Sequence, residues 1–185
     1  MSFLMERYAH DDETPKFEYF SERRRLDVGG GSPSLDPFDQ VFLRNDPSPR
    51  KCAWLPAFLE ELPDTPKNAA RFADLVRRLS GSCAYDLERH VLTSRGRVLP
   101  HLGQLTASEA DAVMFAATAA LVGLSQSIIL IDKPELHGLE PDRVIDGLAA
   151  LGANNQLIMA TSSSALVATG GGVVIDLGSH NQGSS

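Results

Sequence analysis

Ser127-Ile128-Ile129-Leu130-Ile131-Asp132-Lys133-Pro134-Glu135 decides how this chain is read. Four branched apolar residues in a row lack the polar alternation of a half-exposed strand. The run therefore reads as a strand buried in a parallel sheet. Asp132 closes it at the carboxyl end, where open α/β sheets hold their ligands. The flanking pattern agrees. Residues 106–123 form an Ala-rich, almost wholly apolar segment, expected as a buried helix. Residues 141–151 read as a helix opened by Pro141 and closed by Gly152. A strand at 156–161, a short helix at 163–168 and a last strand at 173–177 complete the series. Such alternation predicts an α/β fold with a mostly parallel sheet flanked by helices.

Upstream the pattern is less regular. Residues 1–15 are polar and read as a loose arm. Residues 16–26, Lys-Phe-Glu-Tyr-Phe-Ser-Glu-Arg-Arg-Arg-Leu, read as a strand ending in a basic turn. Gly29, Gly30, Gly31 and Pro33 mark 27–37 as a linker, with a short helix expected around 38–44. A short helix is expected at 54–62. A stronger one is expected at 67–79, where Ala70, Phe72, Ala73, Leu75, Val76 and Leu79 share a face and Gly81 follows. Short strands at 84–92 and 97–102 would flank a Ser94-Arg95-Gly96 turn. The implied organisation is an arm, edge strand and linker at 1–50, a mixed segment at 51–104, an α/β core at 105–178 and a disordered tail at 179–185.

Composition excludes several classes. A net charge of −7 argues against non-specific binding to nucleic acid or acidic membranes. No run approaches the roughly 18 apolar residues of a membrane span, and the start lacks an apolar signal core. A cytoplasmic protein is expected. Cys52 and Cys83 lack metal-ligand spacing and read as buried or indifferent thiols. His90, His101 and His137 are scattered singly. Arg23-Arg24-Arg25 reads as a solvated basic turn that could touch phosphate. No Gly-x-Ser-x-Gly elbow supports a hydrolase triad.

Three segments carry chemistry as a set. Leu105-Thr106-Ala107-Ser108-Glu109 opens the buried helix, and Thr106 with Glu109 has the spacing of a capping box. The Ile-Ile-Leu-Ile-Asp132 strand comes next, followed by Glu135-Leu136-His137-Gly138-Leu139-Glu140-Pro141. The third is Gln156-Leu157-Ile158-Met159-Ala160-Thr161-Ser162-Ser163. In this order they resemble the second half of an ABC-type ATPase, in the branch with SMC-like, RecF-like and OLD-like members. The resemblance runs over about 87–177.

The resemblance implies a partial P-loop-NTPase-like core, with ATP and Mg²⁺ as cofactors. The segment at Thr106, Ser108 and Glu109 looks like the signature that meets the γ-phosphate bound by an opposite subunit, with Ser108 where the family has Gly. Asp132 matches the Walker B acid that holds Mg²⁺, usually through water. Lys133 stands where the family places the Glu that polarises the attacking water, and a charged Lys cannot accept a proton. Ser162 stands where the family places the switch His. The phosphate-cradling Gly-x-x-x-x-Gly-Lys-Ser/Thr is absent. These departures imply a degenerate, non-hydrolysing module docking on a protein partner, either a second copy or a P-loop-bearing ATPase. The alternative is the catalytic half of an ATP-hydrolysing protein whose P-loop lies on another segment, with Glu135 as the nearest substitute base. A small α/β structural protein is the third reading. A sheet without its first βα unit must cover an edge, and 16–25 is the expected edge strand.

Overall fold

The computed structural model describes residues 11, 14–26, 35, 41 and 43–177. Most of the expected arm, the linker at 27–37, the helix around 38–44 and the tail lie outside these. The chain begins with β1 (Phe17–Phe20), a 3₁₀ turn and the helices α1 (Leu55–Glu61) and α2 (Pro66–Leu79). It continues through β2 (Cys83–Asp86), β3 (Val91–Ser94) and β4 (Arg97–Val98), then α3 (Ala107–Val122) and β5 (Ile128–Asp132). It closes with α4 (Pro141–Ala149), β6 (Gln156–Ala160) and α5 (Ser164–Gly170).

The described residues form two small sheets. One is parallel, in the order β1-β5-β6, and the other is antiparallel, β2-β3-β4. β5 is thus the central strand, as its run of branched residues demands. Phe17 to Phe20 pair with Ile128 to Ile131, and Ile128 to Asp132 pair with Gln156 to Ala160. Residues in register share a face. Glu18, Phe20, Ile129 and Ile131 are buried on the helix side. Phe17, Ile128 and Ile158 are exposed on the other. The expectation of full burial therefore holds for only one face of β5, because the helices among the described residues pack on that side alone.

α3 is the axis of the core. Its apolar residues surround the helix, and Val113 through Val122 are buried throughout. The Thr118 hydroxyl donates to the Met114 carbonyl at 2.9 Å, so it needs no outside partner. Phe115 meets Phe20 edge-on at 4.7 Å between ring centroids, which locks α3 to β1. A second aromatic series, Trp54, Phe58, Phe72 and Tyr85, steps from α1 across α2 to β2 at 5.3–5.7 Å.

Three sequence expectations fail. Of residues 97–102 only Arg97–Val98 form a strand, and a 3₁₀ turn begins at Leu102. Residues 84–92 are not one strand but β2 and β3, joined by a turn in which His90 adopts φ 54°, a conformation that histidine takes more readily than most residues. Residues 173–177 do not form a strand. Val173, Ile175 and Leu177 are 96%, 79% and 89% exposed, and no partner strand lies beside them among the described residues. Their β-branched composition favours extension, but pairing needs an edge within reach.

Close approaches are met by glycine. A Cβ on Gly152 would sit 1.1 Å from the Leu124 carbonyl oxygen. Because that neighbour is backbone, Gly152→Ala is expected to destabilise by about 3 kcal/mol or more in denaturant unfolding. Gly96→Ala meets nothing within 4 Å and bears only its φ of +75°. It should cost about 1–2 kcal/mol in the same measurement.

Candidate functional site

The carboxyl ends of β1 and β5 meet through Arg24. The turn after Phe20 points this side chain inward, where it is 3% exposed. Its Nη1 donates to the Asp132 carbonyl at 2.7 Å and to the Ser21 carbonyl at 3.1 Å, and its Nη2 donates to the Lys133 carbonyl at 2.7 Å. Nη2 also lies 3.0 Å from Oδ2 of Asp111, on the first turns of α3. The same Oδ2 is 2.9 Å from Nδ1 of His137, on the loop after β5. Asp111 is fully buried. A buried carboxylate flanked by a guanidinium and an imidazole thus stands beneath the end of the central strand.

The residues singled out in the sequence are arranged around this centre, each with a local task. Lys133 takes the left-handed backbone, φ 47°, where the chain leaves β5. Its Nζ pairs with Glu22 Oε2 at 2.5 Å. The hydrogen bond to Glu22 raises the lysine above its usual range, and the same bond lowers the glutamate. Lys133 is therefore held charged. Asp132 lies on the open face of the sheet, in register with Ala160. Ser162 sits just beyond β6, where its amide and hydroxyl donate to Glu135 Oε1 at 3.0 and 3.3 Å. Burial pushes the Glu135 carboxyl up, but its hydrogen bonds, those from Ser162 among them, prevail and lower it. Already engaged and held ionised, Glu135 is a weak substitute base.

Thr106, Ser108 and Glu109 form the N-terminal cap of α3. Both halves of the capping box are present. Glu109 Oε2 accepts from the Thr106 amide and hydroxyl, each at 3.0 Å. Its Oε1 accepts from the Ser82 and Ser94 hydroxyls, each at 2.6 Å. Ser108 Oγ lies 3.3 Å from Thr106 Oγ1. The segment read as a signature thus pins α3 to the β2–β3 hairpin. Burial pushes the Glu109 carboxyl up, yet the bonds from Ser82, Ser94 and Thr106 outweigh it and hold it at about 2.

The donor set does not fit a metal held by this chain alone. Among the described residues no three His, Cys, Asp or Glu side chains gather as a metal-binding group. Asp132 offers a single carboxylate beside a cation. Cys52 and Cys83 are free and buried, each thiol pushed up to about 12 chiefly by burial. No helix among the described residues is long and apolar enough to cross a membrane. Sequence reasoning missed Arg24 and Asp111 as partners. The available signal was Asp111, an acid in the buried helix that the capping box does not use.

Asp111→Ala leaves Arg24 buried without its counter-ion and should destabilise by about 3–5 kcal/mol in chemical denaturation. Glu109 has a folded value below its ordinary 4.5. Its contribution is complete above that pH and disappears as pH falls toward 2. At most about 3 kcal/mol is involved, and Glu109→Gln should flatten the acid limb of a stability–pH curve over this window. No protein-family model matches the chain, and no curated protein matches its sequence.

Proposed function

We propose that this chain is a non-hydrolysing, ABC-type ATPase-like module with a partial P-loop-NTPase-like core, working through a protein partner rather than by turning over nucleotide. One observation carries the reading. The position after the strand-end acid, where an ATPase of this type needs a water-polarising carboxylate, holds Lys133 in an ion pair with Glu22. A cation fixed there cannot take a proton from water and competes with Mg²⁺ for Asp132. The other motif positions support it. Glu109 and Thr106 are consumed in a cap, and Ser162 is tied to Glu135. The partner is a second copy or a P-loop-bearing ATPase, and ATP with Mg²⁺ is bound weakly or only in its company.

A second reading has one observation in its favour. Among the described residues β6 is paired on one side only, and residues 173–177 are exposed and form no regular element. A strand supplied by another segment could use both, making this chain the catalytic half of a divided ATPase.

The purified chain should release no phosphate from ATP with Mg²⁺ above background. Lys133→Glu should not restore turnover, because no phosphate-cradling loop is present. Hydrolysis by the wild-type chain that vanishes in Asp132→Ala would overturn the proposal. Hydrolysis appearing only on mixing with a P-loop-bearing partner, and lost in Asp132→Ala, would establish the divided ATPase.

A further inference from the structure

The three consecutive arginines after β1 do not behave alike. Arg24 is drawn into the protein by Asp111 and two carbonyls at the end of β5, while Arg23 and Arg25 on either side are exposed. The inward pull on the middle residue fixes the turn, so its neighbours are carried on a braced backbone. Across from them lies His137. A cleft of about 400 Å³ separates the two segments, lined by Glu22, Arg23, Arg25, Leu136 and His137.

Its charge opposes that of the chain, which carries −7 overall. Glu22 is committed to Lys133 at 2.5 Å, so its charge is largely answered within the rim. Two guanidinium groups remain. His137 forms the opposite wall: its Nδ1 is enclosed 2.9 Å from the fully buried Asp111, with no hydrogen bond between them, and its side chain is 23% exposed. With Nδ1 enclosed, Nε2 is the nitrogen left for a ligand.

We infer that this cleft binds the phosphate group of a small organic phosphate. Arg23 and Arg25 grip its oxygens, and His137 Nε2 shares a proton with it. A tetrahedral dianion presents oxygens in several directions and can engage two guanidinium forks and an imidazole together. A planar carboxylate satisfies one fork. The volume exceeds that of a phosphate, and the exposed Leu136 gives the organic portion an apolar contact. The site lies on the β1 side of β5, away from Ser162 on the β6 side. It stands whether or not the chain binds nucleotide at Asp132.

Isothermal titration without Mg²⁺, using inorganic phosphate and phenyl phosphate as probes, tests it. Saturable one-to-one binding is expected, tighter for phenyl phosphate. The double variant Arg23→Ala/Arg25→Ala should weaken both by tenfold or more, as lost charge-assisted bonds require. Both arginines are exposed, so this variant should fold, with an unchanged circular dichroism melt. His137→Gln should weaken binding about fivefold, by loss of one hydrogen bond, and Asp132→Ala should leave it unchanged. Absence of saturation with either probe would overturn the proposal. So would binding undiminished in the double arginine variant, or binding lost in Asp132→Ala, which would place the anion at the nucleotide-type position.

Discussion

A single guanidinium, that of Arg24, ties together the ends of two paired strands and the helix packed on them. Its donors reach the end of β1, the end of β5 and the first turns of α3. Both Nη groups of this buried cation are answered, as the desolvation cost of an unmet donor favours, while Nε has no hydrogen-bond partner. The backbone carbonyls of Asp132 and Lys133 supply two of the answers. They can do so only because the chain turns sharply after β5, with Lys133 in the left-handed region. The geometry at the head of the sheet is therefore a consequence of satisfying Arg24. The placement of His137 and the ion pair of Lys133 with Glu22 are further parts of the same arrangement.

The motif-like residues are reused rather than idle. Glu109 accepts four hydrogen bonds and fastens the β2–β3 hairpin to α3. Glu135 holds the segment after β6 through Ser162. Buried charge recurs at the far side of β1. There Glu18 pairs with Lys51, whose ammonium also donates to the Arg44 carbonyl at 2.6 Å and lies 5.1 Å from the Phe20 ring centroid. Burial pushes the Glu18 carboxyl up, against the pull of Lys51. Several groups that could have been chemical are thus engaged in structural contacts, while the Asp132 carboxylate stays on the open face of the sheet.

The elements legible in the sequence were those with a strong local pattern. β5 declared itself by four branched residues, α3 by its almost wholly apolar run, α2 by its one-sided face, and β1 by the alternation of Phe17 and Tyr19 before the charged turn. What could not be read depends on long-range answers. Arg24 and Asp111 are partners only because β1 packs beside α3. His90 turns the hairpin at positive φ without a glycine or proline to mark the break. Val173 to Leu177 have strand composition, but composition does not supply a neighbour. The cap at Thr106 was readable as a cap; its two further donors, Ser82 and Ser94, were not, because the hairpin had been read as a single strand.

The pairing of β1 with β5 has a consequence for the order of events on the ribosome. Phe17 to Phe20 emerge well before their partners, which begin at Ile128, and the hydrogen bond from the Lys16 amide to Ser127 Oγ closes a separation of 111 residues. Parallel strands so far apart cannot zip locally, and closing such a loop must be offset by contacts formed together. α1, α2 and the β2–β3 hairpin can gather first through their aromatic series. β1 waits for the central strand, so a strand made 111 residues ahead of its partner is among the last to find its place.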